Sequence, residues 1–322
     1  MQPVISAVIP VFNEKESLAP LGRELAAALD ALGQPYEVIW VDDGSTDGSF
    51  AELKGIIAAG PQRALRLSRN FGQTAALAAG IAAAGGEWIV TLDADGQNDP
   101  ADIAALLRAA RAGSDVVSGW RRERRDQLFS RRLPSRAANM IIAAVTGVKL
   151  HDFGCTLKIY RTSLLKSVDL YGEMHRFLPA ILNYAGASVT ELEVNHRPRT
   201  AGRSKYGLAR TFKVVLDLLT VKFMGDFITK PIYLFGGISL WLGAAATAMA
   251  AWTLYNKFFN GIFVKDQPLF LLAVFMALAG IQFAVMGLLA EVIVRTYHSA
   301  NRKPPYTVAE TAPTGTGNAV KG

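Results

Sequence analysis

Residues 88–97 read WIVTLDADGQ: an apolar run from Trp88 to Leu92, then the carboxylates Asp93 and Asp95 flanking Ala94, with Gln97 close behind. The run has the length and the bulk of a short buried strand, so the two carboxylates stand where that strand ends. Working outward, Val4 to Val11, Tyr36 to Val41, Leu65 to Leu67 and Asp115 to Val117 read as further buried strands. Between them, Ser17 to Leu32, Asp47 to Ala59, Gly72 to Ala84 and Pro100 to Ala112 read as helices, with Asp99 as an N-cap before a proline at the first helical position. Strand and helix alternate, which predicts an α/β domain built on a mostly parallel sheet. Ligands of such sheets bind beyond the carboxyl ends of the strands, which is where Asp93 and Asp95 lie.

Past Gly119 the alternation weakens. A basic helix is expected over Leu133 to Thr146, then a loop through His151 to Cys155 and a strand from Val189 to Val194. Leu208 to Ile228 carries apolar residues at helical spacing, with Lys213, Asp217, Lys222 and Asp226 among them, the pattern of an amphipathic helix lying at a membrane surface. A soluble packing helix is the plainer alternative. The tail is rich in proline, glycine, threonine and alanine and is expected to be disordered from about residue 301.

Composition adds the membrane. The chain has 322 residues, 51% of them apolar, and its mean hydropathy is +0.22. The excess is local: no charge interrupts Ile232 to Tyr255 or Gln267 to Ala290. Each stretch makes a helix of roughly 35 Å at ~1.5 Å per residue, enough for a hydrocarbon core of ~30 Å. Lys222, Lys230, Arg295, Arg302 and Lys303 flank the outer ends, whereas the loop Asn256 to Asp266 holds only Lys257 and Lys265 as cations. That bias favours a cytoplasmic N-terminal domain. The expected organisation is a catalytic domain over 1–207, an interfacial helix over 208–229, two transmembrane helices within 230–295 (about 232–255 and 267–290) and a cytoplasmic tail over 296–322.

The net charge of +7 admits nucleic acid or an anionic membrane as partner. The cations cluster in Arg121 to Arg136 and Arg197 to Lys230, near the predicted membrane entry, so membrane lipid phosphate is the expected partner and nucleic acid is not. The N-terminus has no basic region followed by an apolar core and cleavage site, so no secretory signal is read. Cys155 is the single cysteine, which excludes an intrachain disulfide. No glycine-rich dinucleotide fingerprint or Walker loop follows the strands, which weakens dehydrogenase and P-loop readings.

The chemistry-bearing residues sit at strand ends. Pro10-Val11-Phe12-Asn13-Glu14 ends the first strand and Asp42-Asp43-Gly44-Ser45-Thr46-Asp47 the second; both could hold a nucleoside, although Asp-Gly-Ser is also ordinary turn chemistry. Asp93 and Asp95 offer hard oxygens to Mg²⁺ or Mn²⁺ beside a diphosphate, and Gln97 a neutral third ligand. Arg131 and Ser135, four apart, share a helix face suited to phosphate. His151, His175, His196 and His298 show no metal-ligand spacing.

Taken in order, Pro10 to Glu14, Asp42 to Asp47, Asp93 to Gln97, Asp152-Phe153-Gly154-Cys155 and Gly202-Arg203-Ser204-Lys205-Tyr206 resemble family 2 glycosyltransferases. With two C-terminal spans, residues 4 to 295 are similar to the polyprenyl-phosphate glycosyltransferases, the group of GtrB-type glucosyltransferases and dolichyl-phosphate mannose synthases. The resemblance implies a GT-A nucleotide-sugar fold. It places Pro10, Phe12, Glu14 and Asp42 at the nucleoside, and Asp93, Ala94, Asp95 and Gln97 at the metal and diphosphate. Phe12 stands where relatives often carry tyrosine, so no hydroxyl contact is available there. Arg121, Arg203 and Lys205 fall at the donor phosphates; Arg131, Ser135 and Arg136 fall at the lipid phosphate of the acceptor.

Asp152 matches the family's catalytic carboxylate. A phosphate monoester, with a second pKa of about 6, is largely dianionic near neutrality and needs no strong base, so Asp152 is expected to orient the acceptor. The implied reaction is inverting transfer of one sugar, with UDP-glucose as the expected donor and undecaprenyl phosphate as the expected acceptor. The product is a β-linked polyprenyl-phosphate sugar, and the enzyme is expected to form a homo-oligomer, a homotetramer in related enzymes. A non-catalytic membrane scaffold binding the same ligands is the alternative. A processive polysaccharide synthase fits less well, because the chain has no Gln-X-X-Arg-Trp motif and only two spans.

Overall fold

The computed structural model describes residues 2–58, 60–122, 140, 142–143, 146–170, 172, 174–198, 231–299 and 308–312. They fall into two units, the second comprising the paired apolar helices within 222–303.

The first unit is built on an eight-stranded mixed sheet. Its strands are β1 (Ile5–Val11), β2 (Tyr36–Asp42), β3 (Gln62–Leu67), β4 (Trp88–Thr91), β5 (Val116–Trp120), β6 (Lys158–Arg161), β7 (Val189–Glu193) and β8 (Val308–Ala312). The order across the sheet is β7-β5-β6-β4-β1-β2-β3-β8. Strands β4, β1, β2 and β3 run parallel, as does the β5–β7 pair; β6 is antiparallel to β4 and β5, and β8 to β3. Helices α1 (Lys15–Asp30), α2 (Ser49–Ile56), α3 (Gln73–Ala83) and α4 (Ile103–Arg111) connect the first five strands. Asp99 caps the turn before α4, its Oδ1 accepting from the Ala101 amide at 3.1 Å.

Strand alternation divides the core. Ile5, Ala7, Ile9 and Val11 of β1 face Leu18, Leu21, Leu25 and Leu29 of α1, while Val8 faces the other way with Ile39, Val41 and the α3 residues Ala76 and Ala79. Both faces of β1 are therefore covered, which is why it reads as an apolar run without alternation. Each fully buried leucine contributes roughly 1.5–3 kcal/mol by area. Helix α3 lies close on the sheet because Gly80 faces Val8 and Val41; a β-carbon there would overlap the Val8 side chain.

Two strands depart from the sequence reading. Strand β6 was not anticipated, because Lys158 interrupts its apolar run. The tail, expected to be disordered from about residue 301, instead forms β8 over Val308–Ala312, with Ala64 opposite Ala312 and Leu65 opposite Thr311. The outer edge of β3 offers a row of backbone groups that a short β-tolerant segment can pair, whatever the composition around it. The interfacial helix expected over 208–229 lies outside the described residues, as does most of the basic helix expected over Leu133 to Thr146.

Later in this unit lie the short helices α5 (Thr162–Leu165) and α6 (Leu178–Tyr184). Just before α6, buried His175 meets Thr74 of α3, Nδ1 to Oγ1 at 2.7 Å. Burial, with Arg176 and Lys158 nearby, pulls its pKa from 6.5 down to about 3. The unfolded chain thus binds a proton that the native protein does not between those values, so stability falls as pH drops through this window, by up to ~1.4 kcal/mol per pH unit. His175→Gln is expected to flatten this acid limb in thermal unfolding measured from pH 7 to 4; an unchanged slope would assign the limb to other groups.

The second unit is a helical hairpin, α7 (Pro231–Phe259) and α8 (Pro268–Ser299). Both helices are long and apolar enough to cross a membrane. Trp241, Phe258, Leu271 and Ile281 are among the many large apolar side chains they expose, a surface that requires an apolar solvent. Gly280 and Gly287 of α8 let α7 approach: a β-carbon on Gly287 would lie 2.9 Å from Ile232 Cδ1. Gln267 closes the turn, its Nε2 donating to the Thr253 carbonyl at 3.2 Å and the Ile262 carbonyl at 3.1 Å.

Candidate active site

The connection leaving β1 goes to β2 on one side, while β4 packs on the other, so the crevice at their carboxyl ends is the topological switch point of the sheet. A cleft opens there, lined by Pro10, Val11, Phe12 and Glu14 after β1 and by Asp93, Ala94 and Asp95 after β4. Asp43, Asn70, Gly72, Gln73 and Ala76 complete it.

Side-chain to backbone hydrogen bonds hold the loops around this cleft. Asn13 takes a left-handed backbone (φ 54°). Its amide donates to Ser45 Oγ at 2.9 Å, and its Oδ1 accepts from the Thr46 amide at 2.9 Å, so the ends of β1 and β2 are stitched together. Gly44 (φ +71°) passes so close to the next loop that a β-carbon would sit 2.5 Å from the Arg69 carbonyl carbon. Asp43 accepts from the amides of Phe71 and Gly72 at 2.8 and 2.9 Å. Ser17 at the start of α1 donates to the Ala94 carbonyl at 2.6 Å, fixing the backbone between the two cleft aspartates.

The expected nucleoside residues divide. Pro10, Phe12 and Glu14 line the cleft, but Asp42 does not: it is fully buried, accepts from the Ser45 amide at 3.2 Å and pairs with Arg66 at 3.4 Å. Its neighbour Asp43 lines the cleft instead. In a strand the two residues point to opposite faces, and adjacency in sequence does not reveal which one faces the ligand.

Asp93 Oδ1 accepts from Gln73 Nε2 at 2.7 Å, and Asp95 Oδ1 from the Gln97 amide at 3.1 Å. Burial first, and the charge of Asp95 second, push the Asp93 carboxyl up to about 7. The two carboxylates share one cleft, and their hard oxygens suit Mg²⁺ or Mn²⁺. Among the described residues no three His, Cys, Asp or Glu side chains converge. Gln97, expected as a third ligand, is not among the residues lining the cleft; its backbone amide binds Asp95 and its backbone carbonyl accepts from the Arg197 amide at 2.9 Å. A cation here would take Asp93 and Asp95 and fill its sphere from a diphosphate and water, the usual pattern for Mg²⁺.

Asp152 follows the cleft carboxylates in the electrostatic cluster. It is buried, and Arg121 grips it with both arms of the guanidinium, Nε to Oδ2 at 2.7 Å and Nη2 to Oδ1 at 3.1 Å. Burial draws the Arg121 pKa down, but the Asp152 hydrogen bond and charge more than offset this and leave it above the ordinary value. Arg121, expected at the donor phosphates, is thus engaged by Asp152, and its charge also reaches Asp93. Lys158, absent from the sequence reading, is the second cation of the cluster: fully buried on β6, it donates to the Phe153 carbonyl at 3.1 Å. Burial lowers its pKa to about 8, against the opposing pull of Cys155, Asp152 and Asp93. Arg131, Ser135, Arg136, Arg203 and Lys205 lie outside the described residues.

Asn70 and Gln73 were missed because they sit where the sequence reads a turn and a helix start, and Lys158 because its segment was read as neither helix nor strand. A polar residue interrupting an apolar run, as Lys158 does, was the one available signal.

Comparison with known proteins agrees with this geometry. Residues 6–169 match the model of glycosyl transferase family 2. The dodecaprenyl-phosphate galacturonate synthase of Rhizobium johnstonii is 42% identical over 311 residues, covering 95% of this chain and 92% of that protein. The undecaprenyl-phosphate 4-deoxy-4-formamido-L-arabinose transferase of Aeromonas hydrophila is 36% identical over 308 residues, covering 95% and 93%. Among solved structures, glucosyl-3-phosphoglycerate synthase from Mycobacterium tuberculosis, in complex with Mn²⁺, UDP and phosphoglyceric acid, superposes with a TM-score of 0.54 at 19% identity, covering 69% of this chain and 78% of that one. That likeness is one of fold. The family match, the near full-length relatives and the carboxylate cleft at the switch point agree: the chain belongs to glycosyl transferase family 2.

Proposed function

We propose that the protein transfers a single sugar, with inversion, from a nucleotide sugar to the phosphate of a polyprenyl phosphate held in the cytoplasmic membrane. The observation that carries this reading is the Asp93 and Asp95 pair in the cleft, with Asp93 in electrostatic contact with Arg121, on a chain that also bears a bilayer-length hairpin. The names of the two relatives supply the acceptor class. They point to galacturonate or 4-deoxy-4-formamido-L-arabinose as the sugar, in place of the glucose expected from sequence.

In this reading the nucleoside lies along Pro10, Phe12 and Asp43, and the diphosphate reaches Asp93 and Asp95. A bound Mg²⁺ or Mn²⁺ would neutralise charge building on the departing diphosphate. An acceptor phosphate oxygen attacks the anomeric carbon, forming the new carbon–oxygen bond as the bond to the nucleoside diphosphate breaks and its electron pair leaves with that group. Asp152, tied at both oxygens to Arg121, is poorly placed to remove a proton; the pair orients, and Arg121 and Lys158 supply fixed positive charge that costs no reorganisation. Most of the rate comes from positioning.

The test is mass spectrometry of lipid products from purified full-length protein given Mn²⁺, undecaprenyl phosphate and, in turn, UDP-galacturonic acid, UDP-4-deoxy-4-formamido-L-arabinose and UDP-glucose. One sugar per lipid with one of these donors is the expected result. Nucleotide binding without any lipid product across the panel would favour a non-catalytic scaffold.

A further inference from the structure

Glu191 lies outside the donor cleft, on β7, opposite Ser118 of β5 in parallel register. Its side chain is 10% exposed, and it is turned onto the loop that carries Asp152. Oε1 accepts from the His151 amide at 2.9 Å and the Asp152 amide at 3.0 Å; Oε2 accepts from the His151 amide at 3.0 Å and meets His151 Nδ1 at 2.7 Å. One carboxylate thus gathers two consecutive backbone amides and a ring nitrogen, hydrogen bonds of the strong, charge-assisted kind.

The end of β5 grips the same loop from the other side. Trp120 stacks on the His151 ring at 4.4 Å between centroids with the planes 19° apart, and Arg121 holds the Asp152 carboxylate. His151 and Asp152 are each held twice, once by β5 and its extension and once by Glu191. Residues 147–157 form no helix or strand, so the direction of the Asp152 side chain is not set by a ladder of backbone pairs. It is set by these side chains.

We infer that Glu191 is a positioning residue for sugar transfer, fixing the backbone of His151 and Asp152 so that the Asp152–Arg121 pair meets the reacting groups. The inference rests on the transfer reaction proposed above, and on Asp152 acting within it. Glu191 touches no cleft-lining residue through these bonds, so its removal reaches the site through the His151–Asp152 loop. Glutamine at 191 keeps the size but replaces one accepting oxygen with an amino group that cannot accept the amides.

The experiment is a double-mutant cycle in full-length protein in nanodiscs, with Glu191→Ala, Glu191→Gln, Asp152→Asn and the combinations. Glu191→Ala is expected to lower kcat roughly 10- to 100-fold, as a misplacement of about 1 Å can, with Glu191→Gln in between. Affinity for UDP with Mn²⁺ is expected to stay unchanged. On the residual turnover of Asp152→Asn, either Glu191 change is expected to have no further effect. Hydrogen exchange at the amides of 151 and 152 is expected to accelerate. An equal loss of kcat in the Asp152→Asn background, a parallel loss of UDP binding, or unaltered exchange would overturn the inference. If the wild-type protein transfers no sugar, the proposed reaction fails, and exchange alone then decides whether Glu191 orders the Asp152 loop.

Discussion

Asp95→Ala is expected to lower kcat/KM for sugar transfer by about 10³-fold, the scale of losing a preorganised charge that acts where the transition state builds charge. Asp95 and Asp93 share the cleft, and burial first, with the charge of Asp95 second, raises Asp93 towards its neutral form. Removing Asp95 relieves that repulsion, so the loss of activity should come without loss of fold. Mn²⁺ affinity, read by titration calorimetry, should drop in parallel with activity, because one of two carboxylate ligands is gone. The local structural cost is small: Asp95 Oδ1 accepts from the Gln97 amide at 3.1 Å in a half-buried turn. If Asp95→Ala keeps kcat/KM within about threefold of wild type, well short of what an essential charge contributes, Asp95 does not hold the cation.

The architecture was legible where the chain obeys one period at a time. The runs over Val4 to Val11 and Trp88 to Leu92 became β1 and β4, and the order of strands and helices up to β5 followed directly. Such strands bury both faces, and burial demands apolar residues without exception. Strand β6 escaped because its stabilisation is partly polar. Lys158 sits among carboxylates contributed by distant segments, and those partners are set by topology, which periodicity does not encode. Strand β8 escaped for the opposite reason. Its pairing uses backbone groups of the β3 edge, so five residues in a tail of low complexity suffice.

The site was legible in its carboxylates and less so in its supports. Asp93 and Asp95 stand out because they close an apolar run where a strand ends, whereas Asp152 was reached only through the family resemblance. Glu191, Asp43 and Gln73 hold loops, and in sequence they are ordinary polar residues on a strand, a turn and a helix start. Asp42 and Asp43 show the limit most plainly: one is buried against Arg66 and the other lines the cleft, yet they are adjacent.

Arg121→Ala is expected to destabilise the protein by about 3–5 kcal/mol, since it removes the guanidinium that binds both oxygens of the buried Asp152 carboxylate. The side chain of Asp152 is 2% exposed and that of Arg121 16%, so water cannot replace the lost partner. Against a typical total stability of roughly 5–15 kcal/mol, that loss is large. Arg121→Lys separates charge from geometry. Lysine keeps the positive charge but not the two parallel N–H groups that meet Oδ1 and Oδ2 at 3.1 and 2.7 Å. The fold should then survive, with a thermal midpoint near that of wild type, while kcat falls roughly 10²-fold because the carboxylate is held at one point and can rotate. Donor affinity should change little for Arg121→Lys, which keeps the positive charge that reaches Asp93 and leaves the nucleoside loops untouched. Should Arg121→Lys retain wild-type kcat, the orientation of Asp152 by a bidentate fork is not required for transfer. In that event charge alone in the buried cluster of Arg121, Lys158, Asp93 and Asp152 carries the effect, and neutralising Lys158 by Lys158→Met should then lower kcat as much as Arg121→Ala does.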